Sequence, residues 1–280
     1  LGMLENYRMA NYRPDGPQAA HLYMQASRLA YADRAAYMAD ADFVDVPVEG
    51  LIDKAYLKSR AMLIHPFRDM GKATAGIPPG ADETLQKTAH AGLIEAGTSH
   101  LSIVDREGNA VSMTTSVEQR FGAHIMAGGF ILNNQLTDFS FAPGRNGMAI
   151  ANRVEAGKRP RSSMSPTLVF DADGDFYAAI GSPGGSRIIT FVTQTLVGLL
   201  DWNMSVQEAI DLPRMLNRNR ASELEQGRDL EATAGALQRM GHSVKLHKLN
   251  SGLHGIRIID GELDGGADKR REGVVIEVKP

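Results

Sequence analysis

From about Arg187 to Trp202 the chain is apolar on most faces of a helix, so this segment needs cover on more than one side. It follows the glycine-rich turn Gly181-Ser182-Pro183-Gly184-Gly185-Ser186, and hairpin patterns supply the cover. One hairpin joins Ser99–Asp105 to Ala110–Glu118 through Asp105-Arg106-Glu107-Gly108-Asn109; another joins Thr167–Phe170 to Phe176–Ile180 through Asp171–Asp175. Pro17 opens a helix running to about Met38, with Leu22, Ala26, Leu29 and Ala30 on its buried face. A second helix spans Leu51 to Leu63 and is closed by Pro66. Ser205-Val206-Gln207-Glu208 reads as a capping box for a helix ended by Pro213, and Asp229 to Met240 as a helix capped by Gly241. Strands follow near Val244–Leu249, Gly255–Ile259 and Val274–Val278. Helices layered over antiparallel hairpins give an α+β class.

Composition narrows the function. Net charge is −3 with no long basic run, which gives no nucleic-acid surface. No apolar run reaches the length of a membrane span. The absence of cysteine excludes disulfides, thiolate metal sites and a thiol nucleophile. The chain starts at Leu1 without an initiator Met or a signal-peptide pattern, which reads as a fragment; the compartment, periplasm or cytoplasm, stays open.

The sharpest candidate chemistry is at Gly97-Thr98-Ser99-His100, where a hydroxyl begins a strand deep inside the chain. The stretch before it, Gly71 to Gly97, reads as an exposed connector that gives slack. Thr98 is placed to attack the Gly97 carbonyl and cut the chain, which leaves an α-amine beside its own Oγ as a base. The same tripeptide also occurs as a plain loop. Counting back from the turn sets Ser116 and Glu118 opposite Thr98, on one face by alternation.

Three further segments carry polar chemistry. Gly184-Gly185 before a helix can aim two N–H groups at a developing oxyanion, or simply turn the chain. In Lys158-Arg159-Pro160-Arg161-Ser162-Ser163 the paired hydroxyls suit a carboxylate, although a capped loop with solvated cations gives the same pattern. In Asn133-Asn134-Gln135-Leu136-Thr137-Asp138, Asp138 with Gln135 suits an ammonium, and such clusters also build turns. The histidines lack metal-site spacing, so no metal or other cofactor is expected.

Taken in order, these motifs resemble the gamma-glutamyltransferase family of N-terminal-nucleophile hydrolases. Thr98–Asp105, Leu132–Gln135 through Asp138-Phe139-Ser140, Lys158–Thr167, Gly181–Arg187 and, upstream, Tyr31-Ala32-Asp33-Arg34 carry the resemblance. It implies a four-layer αββα sandwich, self-cleavage between Gly97 and Thr98, and a division into 1–97, the end of a large subunit, and 98–280, the small catalytic subunit. By the same resemblance Thr98 is the nucleophile, Ser116 its hydroxyl partner, and Gly184 and Gly185 the oxyanion hole. Ser162 and Ser163 then hold a substrate α-carboxylate, Asp138 and Gln135 its α-ammonium. Glu118 stands where the family has a substrate-site Asn, as in its gamma-glutamyltransferase-like and cephalosporin-acylase relatives. The stretch Phe141 to Gly157 is short where bacterial members carry a lid, which implies a pocket open to larger acyl groups.

The implied activity is hydrolysis or transfer on gamma-glutamyl amides such as glutathione. A glutaryl-type acylase is the first alternative and an uncleaved binding protein the second. The implied partners are a small acyl-amide substrate and the chain's own upstream segment, in a large/small-subunit heterodimer with further oligomerisation left open.

Overall fold

Pro17 at the first helical position fixes its φ without costing a hydrogen bond, and α1 (Pro17–Tyr37) follows from it. The computed structural model describes residues 1–82, 84 and 97–278. Two short helices come next, α2 (Val48–Ile52) and α3 (Lys54–Ala61). Further on lie strands β1 (Thr98–Val104), β2 (Ala110–Ser116), β3 (Thr167–Phe170) and β4 (Phe176–Gly181). Helices α4 (Ile188–Leu200) and α5 (Val206–Asp211) precede strands β5 (Met215–Asn217) and β6 (Ser222–Glu225). Helix α6 (Glu231–Arg239), β7 (Val244–His247), β8 (His254–Ile259) and β9 (Glu262–Ala267) complete the order. The chain forms two compact units: 1–93 with 135–162 and 215–247, and 94–134 with 163–214 and 248–280.

In the first unit α1 and α6 pack with the sheet β7-β6-β5 around Ala20, Met24, Met215, Leu224, Leu230, Ala234 and Leu237. The expectation of one buried face on α1 is corrected. Its residues are buried on nearly all sides, while Ala30 is exposed. The single helix expected over Leu51–Leu63 is also two, because the Asp53 side chain accepts from Tyr56 N–H and restarts the helix there. Residues 71–82 are less loose than a connector: Tyr37 donates to the Gly76 carbonyl, Arg60 to the Thr74 carbonyl, and Asn219 pairs with Ala73 in both directions. The rest of the expected connector, apart from Thr84 and Gly97, lies outside the described residues.

In the second unit β9-β8-β4-β3 form an antiparallel sheet. Gly181 on β4 meets His100 of the β1–β2 hairpin; a Cβ built there would lie 2.2 Å from its ring. The next residue back, Ile180, and its partner Gly255 face Val206 of α5, on the opposite side of the sheet. Helix, sheet and hairpin therefore make three layers. The apolar α4 lies in the helix layer, where a Cβ on Gly198 would come within 2.7 Å of Ala209 of α5. The capping box of Ser205 and Glu208 forms in both directions. The last strand is Glu262–Ala267 and not Val274–Val278, whose valines stand exposed.

In the first unit a proton-ordered chain is buried between α1 and the sheet. His21 Nε2 lies 2.8 Å from the His65 carbonyl, His21 Nδ1 2.8 Å from His242 Nε2, and His242 Nδ1 2.8 Å from Ser222 Oγ. The carbonyl only accepts, so His21 Nε2 carries a proton, and burial favours the neutral form of both rings. Burial pushes His242 down to about 4 from 6.5, and pushes His21 down as well. Asp69, 3.7 Å from His242 Nδ1, is already engaged by Arg28 and Gln25. Between about pH 6.5 and 4 the unfolded imidazole binds a proton that the folded one refuses, so stability is full above this window and is lost as pH falls through it. Urea midpoints should decline from pH 7 to pH 4.5. A level profile would put charge on this pair.

Candidate active site

Strand pairing builds the core of the site. The register of β1 and β2 sets Thr98 opposite Ser116, and Thr98 Oγ1 lies 2.8 Å from Ser116 Oγ with Thr98 itself 5% exposed. The Ser116 hydroxyl also accepts from the Glu118 N–H at 2.8 Å. Either hydroxyl can donate in the Thr98–Ser116 pair, and the two hydrogen bonds on Ser116 fix the place of the Thr98 oxygen. Glu118 does not continue the strand as alternation suggested. It turns at φ 72° just past β2, and its side chain is buried.

The Gly97 peptide is clasped by the same segment. Its N–H donates to the Glu118 carbonyl at 3.1 Å, and its own carbonyl accepts from Val117 N–H at 2.9 Å. That carbonyl precedes Thr98, so an N–H already polarises the bond a Thr98 attack would break. A Cβ at position 97 would lie 2.6 Å from the Gln119 carbonyl oxygen and 2.8 Å from Val117 Cγ2. Glycine is required by this close approach.

The glycine-rich turn lies in the same unit. Gly184 (φ 138°) and Gly185 (φ 61°) hold conformations that suit glycine, and α4 begins at Ile188 directly after them. A Cβ on Gly184 would also press within 2.7 Å of the Phe191 ring. Ser182 Oγ accepts from Gly252 N–H and donates to the Pro183 carbonyl, which braces the turn from below. Ser163, half-buried, belongs to this unit too.

His100, to which the sequence assigned no role, stands two residues along β1 from Thr98. Its Nδ1 is 2.8 Å from Thr114 Oγ1 and its Nε2 3.1 Å from Ser102 Oγ. Burial, helped by His254, holds its pKa down at about 4. The strand that presents Thr98 is thus fixed by a neutral ring resting on Gly181.

Gln135, Asp138 and Ser162 belong to the first unit. Gln135 Nε2 donates to Asp138 Oδ2 at 2.5 Å, and Asn152 Nδ2 to the Asp138 carbonyl at 2.8 Å. Burial raises the Asp138 pKa against the Gln135 hydrogen bond and two arginines. Ser162 is exposed, and its carbonyl accepts from Arg34. Of the cations in the Lys158–Arg161 run, Lys158 and Arg161 are buried while Arg159 stays exposed. Lys158 is buried on the Ala151 carbonyl and Glu155, Arg159 is bound to Asp40 and Asp42, and Arg161 points at the Arg34 and Ala35 carbonyls.

Residues 1–278 match the family model described as gamma-glutamyltranspeptidase. The chain belongs to that family. It is 38% identical over 281 residues to the glutathione hydrolase proenzyme of Escherichia coli K12, covering 96% of this chain and 46% of that protein. It is 35% identical over 282 residues to the Acylase ACY 1 proenzyme of Pseudomonas sp. strain SE83, covering 99% and 47%. The chain thus spans about half the length of these relatives. Among solved structures, cephalosporin acylase from Bacillus halodurans superposes with a TM-score of 0.81 at 23% identity, over 100% of this chain and 49% of that one. This family member has the α+β sandwich expected from its sequence.

The fit around Gly97 generates a test. Gly97→Ala drives a Cβ against backbone, and overpacking of about 1–3 kcal/mol at this peptide corresponds to about a 5- to 160-fold slowing of any cleavage there. The fraction of uncut full-length chain against time, read on a denaturing gel, measures it. Unaltered kinetics would mean that the clasp does not hold the reacting geometry.

Proposed function

We propose that the full-length protein is a self-maturing hydrolase and transferase of gamma-glutamyl amides. The contact that carries this reading is the 2.8 Å pair Thr98 Oγ1–Ser116 Oγ beside a Gly97 carbonyl held by Val117 N–H. In maturation Thr98 Oγ attacks the Gly97 carbonyl carbon, the C–N bond breaks, and the nitrogen takes the proton. Water then hydrolyses the resulting ester, releasing a chain that ends at Gly97 and one that begins at Thr98 with a free α-amine. The two products are the large-subunit segment, residues 1–97, and the small subunit, residues 98–280, which stay together as a heterodimer.

In turnover the α-amine accepts the Thr98 Oγ proton as that oxygen attacks the substrate amide carbonyl. The N–H groups of Gly184 and Gly185 hold the oxyanion, with the α4 N-terminus adding a favourable field. The leaving amine takes the proton, and water or an amine acceptor resolves the acyl-enzyme. Ser162 and Ser163 hold the substrate α-carboxylate, and Asp138, oriented by Gln135, its α-ammonium. A substrate ammonium would return to Asp138 the charge stabilisation that burial withholds. The similarity to a glutathione hydrolase proenzyme supports glutathione-type donors.

Replacing Thr98 with Ala should leave a single chain without turnover of gamma-glutamyl anilide, while wild type yields two chains, the smaller starting at Thr98. Mass and N-terminal sequencing decide it. A cut elsewhere, or a maturing Ala variant, would remove Thr98 from this role.

One observation favours a second acyl specificity within the same chemistry. Glu118 is a buried carboxylate beside the nucleophile's partner Ser116, and a relative of similar identity is named an acylase. On this reading Glu118 lessens discrimination for the gamma-glutamyl group. Glu118→Asn should then raise the ratio of gamma-glutamyl to glutaryl anilide turnover by several-fold or more, since a charge-assisted contact is worth about 1.5–3 kcal/mol. An unchanged or inverted ratio would detach Glu118 from specificity.

A further inference from the structure

The segment after β9 brings a guanidinium onto the nucleophile's own residue. Arg271 Nη1 donates to the Thr98 carbonyl and Nη2 to the Asn250 carbonyl, each at 3.3 Å. Its stem crosses Gly252 so closely that a Cβ there would lie 2.8 Å from Arg271 Cδ, and its Nε is buried without a hydrogen-bond partner. Among the described residues no carboxylate lies within salt-bridge distance of it. The nearby Asp268 is taken up by Arg270, the Ser251 hydroxyl and Leu253 N–H. A half-buried cation is thus set against Thr98 with its charge uncompensated by contact.

We propose that Arg271 is a positioning residue that keeps the α-amine of cleaved Thr98 neutral, and so free to accept a proton at neutral pH. This rests on the reading of Thr98 as an N-terminal nucleophile. An amine that is to accept the Oγ proton must arrive unprotonated, yet an ordinary α-amine has a pKa of about 7.7–8.0 and is largely charged below it. The nitrogen and carbonyl oxygen of one residue are only about 3–4 Å apart by backbone dimensions, so the guanidinium stands about 5–6 Å from the amine. At an effective dielectric near 20, a unit charge at that range lowers an amine pKa by about two units; half-exposure of the guanidinium cuts this to about one. The other groups around Thr98 are His100 on β1 and His254 on β8, both held down by burial, with Glu118 past β2 and Asp268 and Glu272 near the C-terminus. The three carboxylates pull the amine upward. Arg271 is the cation in contact with Thr98.

The test reads the amine directly. In the full-length protein, the segment ending at Gly97 is coexpressed with the segment beginning Met-Thr98, whose Met is removed in the cell, so that no variant depends on self-cleavage. The rate of N-terminal acetylation of Thr98 against pH, followed by mass spectrometry, gives the amine pKa in wild type, Arg271→Met and Arg271→Lys. Expected is a wild-type value about one unit below the ordinary range, a rise of about one unit in the Met variant, and a Lys value close to wild type. The acid limb of kcat/KM for gamma-glutamyl anilide should shift in parallel. Equal amine pKa values in wild type and the Met variant, however far turnover falls, would reduce Arg271 to a clamp on two carbonyls and overturn the proposal. A wild type with a depressed amine pKa but no turnover would instead sink the proposed function alone.

Discussion

The register that pairs Thr98 with Ser116 is the constraint on which the rest of the second unit's chemistry depends. Side chains alternate along a strand, so a slip of one residue would turn Thr98, His100 and Ser102 outward together. Polar contacts to the sheet beneath hold the register. Ser102 Oγ donates to the Ala179 carbonyl, Ser112 Oγ to the Ile180 carbonyl, and the His100 ring lies on Gly181. The hydroxyl pair at the strand ends is therefore fixed by bonds several residues away from it. The close fit of Gly97 against Gln119 is a consequence of the same pairing, one step beyond the ladder.

Buried charge is handled differently in different places. Where a carboxylate is buried for structure, it is surrounded: Asp33 accepts from Tyr56, Arg60 and the Gly76 N–H. Such a centre is costly to break, because removing one partner strands the others without water. Asp138 differs. Burial raises its pKa, and the Gln135 hydrogen bond offsets this only in part. A carboxylate left under-stabilised in this manner gains from an arriving cation, which a fully paired one does not. The buried histidines take the third route and give up their charge altogether.

Much of this was legible in the residues. Turn chemistry at Asp105–Asn109 brought Ser116 opposite Thr98 to within a residue, and the glycines at 184 and 185 marked a turn before an apolar helix. Other elements were not. On β1 and β2 the apolar side chains Leu101, Ile103, Val111 and Met113 are exposed, while the polar face lies against the sheet. Alternation reveals a strand but not which face is covered, because that depends on what the neighbouring layer offers. Strands β5 and β6 escaped notice because each is short and lacks a period of its own; burial between α1 and α6 makes them strands. Val274–Val278 has the β-prone residues but pairs with no strand among the described residues.

By itself the sequence determined most local events: where the helices at Pro17, Ser205 and Gly241 start or stop, which turns close hairpins, and that a hydroxyl follows a glycine at the head of a strand. Dihedral preferences and capping bonds act over a few residues, so they are written in short stretches. Only the tertiary structure decided that Glu118 leaves the strand at φ 72°, that Val117 N–H holds the Gly97 carbonyl, and that Arg271 reaches Thr98 across 173 positions. Contacts between residues far apart in the chain depend on the summed packing of whole layers, and no local pattern carries that sum.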